Sequence, residues 1–232
     1  MKKYLLAVTI MMTFLIFIGA SWAAEITIDR VVGYYSGSGG EFNIARFGTE
    51  TNSLYASNVL VNNRYGMQGF ETFCLEKDEY VSIPGTYNAL LNPANMAVGG
   101  GVNTDAGDTI SRGTAFLYYQ FSVGTLSGYD YGSGREASAA LLQNTIWWLE
   151  DEFSNGISNV FTILLANTFE SLANAKQDID KDYGVGVLNL TQIGGGLAQD
   201  QLVRTPVPEP STLLLLGTGL LGLGFAMRRR KN

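Results

Sequence analysis

The stretch REASAALLQNTIWWLEDE, residues 135–152, decides the fold, because it predicts a regular helix in the middle of a chain whose flanks favour β-strands. Ser133 stands at a suitable N-cap position, and Glu136 follows three residues later, which is the spacing of a capping box. Gln143 falls on the same helix face as Trp147 and the small residues, away from the acids at the helix end. A side-chain amide on a buried face needs a hydrogen-bond partner, so we expect Gln143 to have a specific one.

The segments on both sides of this helix indicate the fold class. A mostly apolar helix is predicted over 109–123, and apolar residues at helical intervals predict another over 157–175. Strand-like segments separated by glycine and asparagine turns occupy 25–75 before the helices and 185–203 after them. This order predicts an α+β domain over residues 24–205, a β-barrel or sandwich with an inserted helical subdomain.

Charge and residue usage exclude several classes of function. Residues 24–205 contain 9 basic against 20 acidic residues and no basic stripe, so we expect no nucleic-acid partner. Cys74 is the only cysteine and the chain has no histidine, which excludes a disulfide scaffold, Cys/His zinc sites and Ser-His-Asp or Cys-His catalysis. We therefore predict that the protein is not an enzyme and has no catalytic residues and no cofactor.

A secretory signal peptide is predicted over residues 1–23. Lys2 and Lys3 precede a short apolar run, and small residues follow it. Ser21 and Ala23 occupy the two positions that a signal peptidase reads, so we expect export and cleavage after Ala23. An uncleaved membrane anchor is the alternative, but the run is short for a membrane span.

The C-terminal end has three ordered parts: a proline-rich linker over 206–212, an apolar segment over 213–227 and a basic tail over 228–232. The apolar segment would measure about 23 Å as a helix, short of the roughly 30 Å hydrocarbon layer unless its flanking residues extend it. Arginines directly after the segment favour a cytoplasmic end and act as a membrane stop, so the body lies outside. The linker motif is Pro208, Glu209 and Pro210, and the arginines are Arg228, Arg229 and Arg230.

This tail resembles the PEP-CTERM sorting signal of Gram-negative bacteria. The resemblance implies recognition by an exosortase-type membrane protease and transient anchoring in the inner membrane through the 213–227 helix. It also implies release to the cell surface or an extracellular matrix. A plain C-terminal membrane anchor is the alternative.

Two short segments of the body, TFCLE at 72–76 and LQNTIW at 142–147, resemble the thioester domains of bacterial surface adhesins. That family pairs an aromatic-Cys-aliphatic-acid strand with an aliphatic-Gln-x-x-aliphatic-Trp helix. The residues before the glutamine and two after it, often Thr and Ala in the family, are Leu and Thr here. The resemblance implies an internal thioester between the Cys74 thiol and the Gln143 side chain, formed with loss of ammonia.

A thioester persists only where water is excluded, and we expect Phe73, Tyr118 and Trp147 to form its pocket. Attack by an amine-bearing surface or matrix molecule would transfer the Gln143 acyl group and release the Cys74 thiol. No histidine is needed, because a thiolate is a good leaving group. The event is a single covalent attachment, without turnover.

Three acids resemble the start of a calcium-binding loop: Asp178, Asp180 and Asp182. However, Tyr183 occupies the sixth position, where such a loop needs glycine, and the twelfth position is Asn189 rather than Glu. We therefore predict solvated acids and no metal site, with calcium as the weaker alternative.

Two functions remain open from the sequence. The first is a covalent adhesin that couples to amines through the thioester. The alternative is a non-covalent structural or carbohydrate-associated matrix protein without a reactive centre, for which paired tryptophans at 147–148 suggest sugar stacking.

Overall fold

The computed structural model describes residues 24–37, 39–46, 58, 60–62, 66, 68–92, 94–99, 107–152, 154–205 and 220. The predicted signal peptide, the proline-rich linker with its Pro208–Pro210 motif, the arginine tail and all of the 213–227 segment except Leu220 lie outside these residues. Within the described ranges, every helix is too short or too polar to span a membrane.

Seven antiparallel strands form one sheet, in the order β3-β4-β2-β1-β5-β8-β9, and β6 and β7 form a separate ribbon. Successive strand residues alternate between the two faces of the sheet, and both faces are buried. The strands are β1 (Ala24–Asp29), β2 (Phe42–Arg46), β3 (Leu60–Asn62), β4 (Gln68–Thr72), β5 (Gly85–Asn92), β6 (Met96–Ala97), β7 (Asp108–Thr109), β8 (Val185–Gln192) and β9 (Leu197–Arg204).

The sheet curls until β9 meets the chain directly after β4. Leu202 N donates to Phe73 O at 3.1 Å, and Cys74 lies opposite Gln201 in an isolated antiparallel bridge. These contacts bring the two ends of the sheet together at a seam that contains Cys74. The described strands thus form a single curled sheet, which agrees with the barrel alternative and not with two facing sheets.

Four helices of the described chain follow β7 and precede β8, so the predicted α+β class with a helical middle is confirmed. Three of them begin at residues whose side chains accept the first free backbone N–H groups: Ser111 before the first, Asn159 before the third and Ser171 before the fourth. The helices are α1 (Arg112–Ser122), α2 (Arg135–Leu149), α3 (Val160–Phe169) and α4 (Leu172–Ala175).

One predicted helix cap and the extent of one predicted helix are wrong. The N-cap of α2 is Gly134, without a side-chain cap, so Ser133 and Glu136 do not form a capping box. The Asp130 carboxylate instead accepts hydrogen bonds from the backbone N–H groups of the preceding turn, including that of Gly134. The predicted 157–175 helix is divided because Glu170 adopts a left-handed conformation, with φ at 66°, which ends α3.

The buried apolar residues form two clusters on opposite faces of the sheet. One cluster, called the helix core, joins the helices to Phe73 and the outer face of β8 and β9. The other, called the sheet core, lies within the curl and contains Cys74. Trp147 is the one residue from the described helices among the buried members of the sheet core, so α2 inserts this ring into the curl. Adjacent residues 73 and 74 thus face different cores, as expected for a strand.

Glu150, directly after α2, connects the end of this helix to the start of α1. Its carboxylate accepts hydrogen bonds from the Ser111 N–H at 3.2 Å, the Ser111 hydroxyl at 2.9 Å and the Thr114 hydroxyl. Burial raises the pKa of Glu150 to about 7, although these hydrogen bonds oppose the shift. Between pH 4.5 and about 7, Glu150 therefore keeps its proton in the folded chain and loses it in the unfolded chain.

We expect the free energy of unfolding to fall as the pH rises from about 4.5 to about 7, in part because of Glu150. The group contributes stability while the folded chain retains its proton, and this contribution, roughly 3 kcal/mol, is lost as the pH passes the folded pKa. Urea unfolding over a pH series should show a shallower decline for Glu150→Gln. Glu136→Gln is the matched control, since it removes the same charge from an exposed site on α2. Identical pH profiles for wild type and Glu150→Gln would contradict the assignment.

Candidate functional site

The site is built around Cys74, which lies at the seam where β9 meets the chain after β4. Its side chain is fully buried in the sheet core, and it is a free thiol. The neighbouring backbone is held from β9, because Leu75 N donates to Asp200 O at 3.1 Å. The strand pairing therefore fixes the direction in which the sulfur points.

Gln143, on α2, is the partner of Cys74 across the site. Its amide Nε2 donates to Cys74 O at 2.9 Å, and its Oε1 accepts from Cys74 N at 3.3 Å. The Cys74 thiol also donates to Oε1, with Sγ at 3.3 Å. The structure thus brings together the two residues that the sequence analysis paired, with no intervening side chain, and Gln143 has the specific partner expected for a side chain that is only 2% exposed.

A second backbone donor reaches the Gln143 carbonyl oxygen. Gly40 N donates to Oε1 at 3.0 Å, from the segment that precedes β2. Two N–H groups aimed at one carbonyl oxygen withdraw electrons from its carbon and stabilise negative charge on the oxygen. The amide carbon is one C=O bond, about 1.23 Å, from that oxygen, so it lies near the sulfur. The arrangement suits attack by a nucleophile on the side-chain amide.

Gly39 and Gly40 also belong to the site, although the sequence predicts only a glycine turn at these positions. A Cβ atom at Gly39 would lie 2.5 Å from Gln143 Cγ, and one at Gly40 would lie 2.8 Å from a Phe73 ring carbon. Only glycine allows the backbone to approach so closely. Arg30 Nη2 donates to Gly39 O at 3.0 Å and holds this segment from the other side. The two consecutive glycines directly before Glu41 are the feature of the sequence that could have indicated this close approach.

The predicted pocket residues occupy different places. Phe73 packs edge-on against Phe121, with ring centroids 4.9 Å apart, on the side of the strand that faces the helices. Tyr118 is fully buried, but its hydroxyl donates to Glu71 O at 3.1 Å, so it supports the strand rather than the sulfur. Trp147 belongs to the sheet core together with Cys74.

The Trp147 indole also borders a cavity of about 340 Å³. Its Nε1 is buried and has no hydrogen-bond partner among the described residues, although the indole lies near enough to Cys74 to lower the pKa of the thiol, against the larger raising effects of burial and Glu76. The ring is 8% exposed and lines the cavity, whereas Cys74 and Gln143 are not among the residues that line it. Other residues around this cavity are Arg30, Phe42, Lys77, Tyr80 and Gln199.

The surroundings of Cys74 disfavour its ionised form. Burial raises the pKa of the thiol well above its ordinary value, and the negative charge of Glu76 raises it further. Burial also raises the pKa of Glu76, whose carboxylate accepts a hydrogen bond from Asp200 N at 2.8 Å. A free thiol in this position remains protonated and reacts poorly with oxidants from solution.

The three acids of the possible calcium loop do not form a site. Asp180 pairs with Arg112 at 3.4 Å, and Asp182 accepts from Gly184 N at 2.7 Å within its own turn. Asp178 lies in a backbone bridge opposite Ser111. Among the residues that the structure describes, no group of three potential ligands is placed to hold a metal ion.

Comparison with known proteins identifies the C-terminal segment and leaves the body without a match. Residues 206–231 match the PEP-CTERM protein-sorting motif, which spans the predicted Pro208, Glu209 and Pro210 and the arginines that follow the apolar segment. No curated protein and no solved structure matched the chain. Motifs of this kind are recognised by exosortase, a membrane protease. The protein is therefore an exported one that carries a signal for sorting through the membrane.

Proposed function

We propose that this exported protein attaches itself covalently to an amine-bearing surface or matrix molecule through an internal Cys74–Gln143 thioester. The observation that carries the proposal is the buried pairing of the two side chains, with Sγ 3.3 Å from Oε1 and two backbone N–H groups on the same oxygen. The likeness of the two sequence segments to those of thioester adhesins supports it independently.

Formation of the thioester needs no external reagent. The Cys74 sulfur bonds to the Gln143 side-chain carbon, the bond from that carbon to Nε2 breaks, and the thiol proton leaves with the nitrogen as ammonia. The Gly40 and Cys74 N–H groups stabilise the oxygen while it carries negative charge. Because the thiol and the amide are held in contact, the step is intramolecular and gains from proximity.

Attack by an amine completes the reaction. The amine nitrogen bonds to the Gln143 carbon, the bond from that carbon to sulfur breaks, and a proton from the amine passes to Cys74. The product is an amide that joins the partner to Gln143, together with a free thiol. Nothing in this sequence regenerates the thioester, so each molecule reacts once.

The surroundings favour an amine over water. Cys74 and Gln143 are almost completely removed from solvent, which slows hydrolysis of a stored thioester. The cavity beside Trp147 has room for a slender primary amine, such as a lysine side chain, which would reach the thioester when the ring moves aside. The exported body carries 20 acidic against 9 basic residues, and this charge attracts cationic partners towards the surface.

The two ends of the chain deliver the body to its site of action. In this proposal a signal peptidase removes residues 1–23, and the 213–227 segment anchors the chain transiently in the inner membrane. The arginines at 228–230 act as the membrane stop on the cytoplasmic side. Exosortase then processes the Pro208–Pro210 motif, and the body reaches the cell surface or an extracellular matrix.

Intact mass spectrometry of the exported body tests the thioester. We expect the wild-type protein to weigh one ammonia less than its sequence and, when methylamine is added, to gain the mass of one methylamine, which leaves it one CH2 group heavier than its sequence. Cys74→Ala and Gln143→Ala should have the full mass and no adduct. Asn144→Ala, an exposed amide on the next position of α2, is the matched control and should retain the deficit. A full-mass wild-type protein with a titratable thiol would contradict the proposal and favour a non-covalent matrix protein.

Substitution of Trp147 tests whether its ring excludes water from the thioester. We expect Trp147→Ala to hydrolyse its thioester about tenfold faster or more, a change of about 1.4 kcal/mol in the barrier, because the cavity would then reach the site. The loss of the ammonia deficit with time measures this rate. Trp148→Ala is the control, since that ring contacts Lys176 on the outside of the helix. Equal hydrolysis rates in both variants would show that Trp147 does not protect the site.

The sorting step has its own test in the cells that export the protein. We expect Glu209→Ala to accumulate as an unprocessed, membrane-associated chain, because the substitution removes the charged residue of the matched motif. Fractionation and immunoblotting measure the shift in size and location. Ser211→Ala, in the same linker, should be processed as wild type. Normal release of Glu209→Ala would contradict processing at this motif.

A further inference from the structure

A buried charged network begins one residue after the Gly40 donor. Glu41 is completely buried, and Arg135 binds its carboxylate with two hydrogen bonds, Nε to Oε1 at 2.8 Å and Nη2 to Oε2 at 2.7 Å. The Tyr129 hydroxyl donates to the same carboxylate. The Arg135 guanidinium also lies over the Tyr34 ring, 3.6 Å from its centre. A two-pronged ion pair with these further contacts has one defined geometry.

This network attaches the Gly40–Glu41 segment to α2 at two points. Arg135 stands at the start of the helix and binds the Glu41 side chain, while Gln143 accepts the Gly40 N–H about 12 Å further along the same helix. Because the helix is rigid, two attachments to it fix both the position and the direction of the segment.

Gly40 cannot provide this placement by itself. Glycine has the most mobile backbone of all residues, yet any side chain here would strike the Phe73 ring. The close approach therefore requires a flexible glycine at the position where the Gln143 oxygen needs an N–H donor in a fixed place. The adjacent Glu41, held by Arg135, provides the missing constraint.

Glu71 connects the network to the strand that supplies the second donor. It is buried beside Glu41, three residues before Cys74, and Asn43 Nδ2 donates to its Oε1 at 3.3 Å. Burial and the neighbouring Glu41 carboxylate raise the pKa of Glu71 well above its ordinary value. Burial also raises the pKa of Glu41, but its ion pair with Arg135 opposes that shift and favours the charged form of Glu41.

We infer that Arg135 and Glu41 are positioning residues for the Cys74–Gln143 reaction, because their ion pair holds the Gly40 N–H against the Gln143 carbonyl oxygen. This inference rests on the proposed function. Neither residue touches the reacting atoms. A buried ion pair adds little net stability compared with apolar packing, so its two-pronged geometry is the property that matters here.

The test compares Glu41→Gln, which is close in shape but uncharged, with Arg135→Lys, which keeps the charge but loses the two-pronged fork. We expect hydrogen exchange at the Gly40 amide, followed by NMR, to become about tenfold faster in Glu41→Gln, with a smaller increase in Arg135→Lys. We expect the rate of ammonia loss after refolding, followed by intact mass, to fall about a hundredfold in Glu41→Gln and less in Arg135→Lys.

Glu150→Gln is the matched control, since it removes another buried carboxylate next to α2 that contacts neither Gly40 nor Cys74. It should leave both rates unchanged, whatever its effect on stability. Wild-type rates of amide exchange and ammonia loss in Glu41→Gln would overturn the inference, and so would equal effects of Glu41→Gln and Glu150→Gln. Should Glu41→Gln fail to fold, the graded effect expected of Arg135→Lys decides the matter in its place.

If the proposed thioester is wrong, the experiment gives a different result than if only the positioning role is wrong. A wild-type protein that never loses ammonia contradicts the thioester, and with it the reaction that Arg135 and Glu41 are inferred to serve. The exchange rate at Gly40 is measured on the same samples and does not depend on that chemistry. Unchanged exchange in Glu41→Gln and Arg135→Lys, combined with normal ammonia loss in wild type, overturns the positioning role alone.

Discussion

The side-chain amide of Gln143 is the connection on which the site depends. It joins three parts of the chain that are distant in sequence: the Gly39–Gly40 segment, the strand end at Cys74, and α2. Every polar atom of this amide is used, on a side chain that is 2% exposed. Removal of the amide would leave buried backbone groups of Gly40 and Cys74 without this partner, at a cost of about 1–3 kcal/mol for each group left unpaired. The curled sheet and the helical layer are therefore held in one relative position at this point.

The closure of the sheet gives this connection its geometry. Because β9 pairs with residues 73–75, the thiol and its own backbone N–H face the same carbonyl oxygen. α2 supplies three side chains to the site: Arg135 at its start, Gln143 in its middle and Trp147 one turn later. The rigid helix packs against the closed strand seam. This packing brings the backbone N–H donors, the Gln143 side chain and the Trp147 ring together in one buried place.

The sequence predicted the order of elements better than their ends or their contacts. Periodicity located the helical middle, but it missed the break at Glu170, because a left-handed non-glycine residue has no local signal. Asp130 acts as the cap of the preceding turn, so the capping spacing at Ser133 was misleading. The pairing of Cys74 with Gln143 came from the family resemblance. The ion pair between Arg135 and Glu41 spans 94 positions of the chain, and nothing in the local sequence indicates it.

Burial has two effects at Cys74 that support the proposed chemistry together. It raises the pKa of the thiol, which makes the free cysteine a poor nucleophile towards molecules in solution. It also excludes water, which strengthens the hydrogen bonds that the Gly40 and Cys74 N–H groups make to the Gln143 oxygen. An amide held 3.3 Å from the sulfur can react where an oxidant or a second thiol cannot enter. In the proposed chemistry, selectivity arises from placement rather than from the intrinsic reactivity of the thiol, and for that reason the residues that hold Gly40 contribute to it.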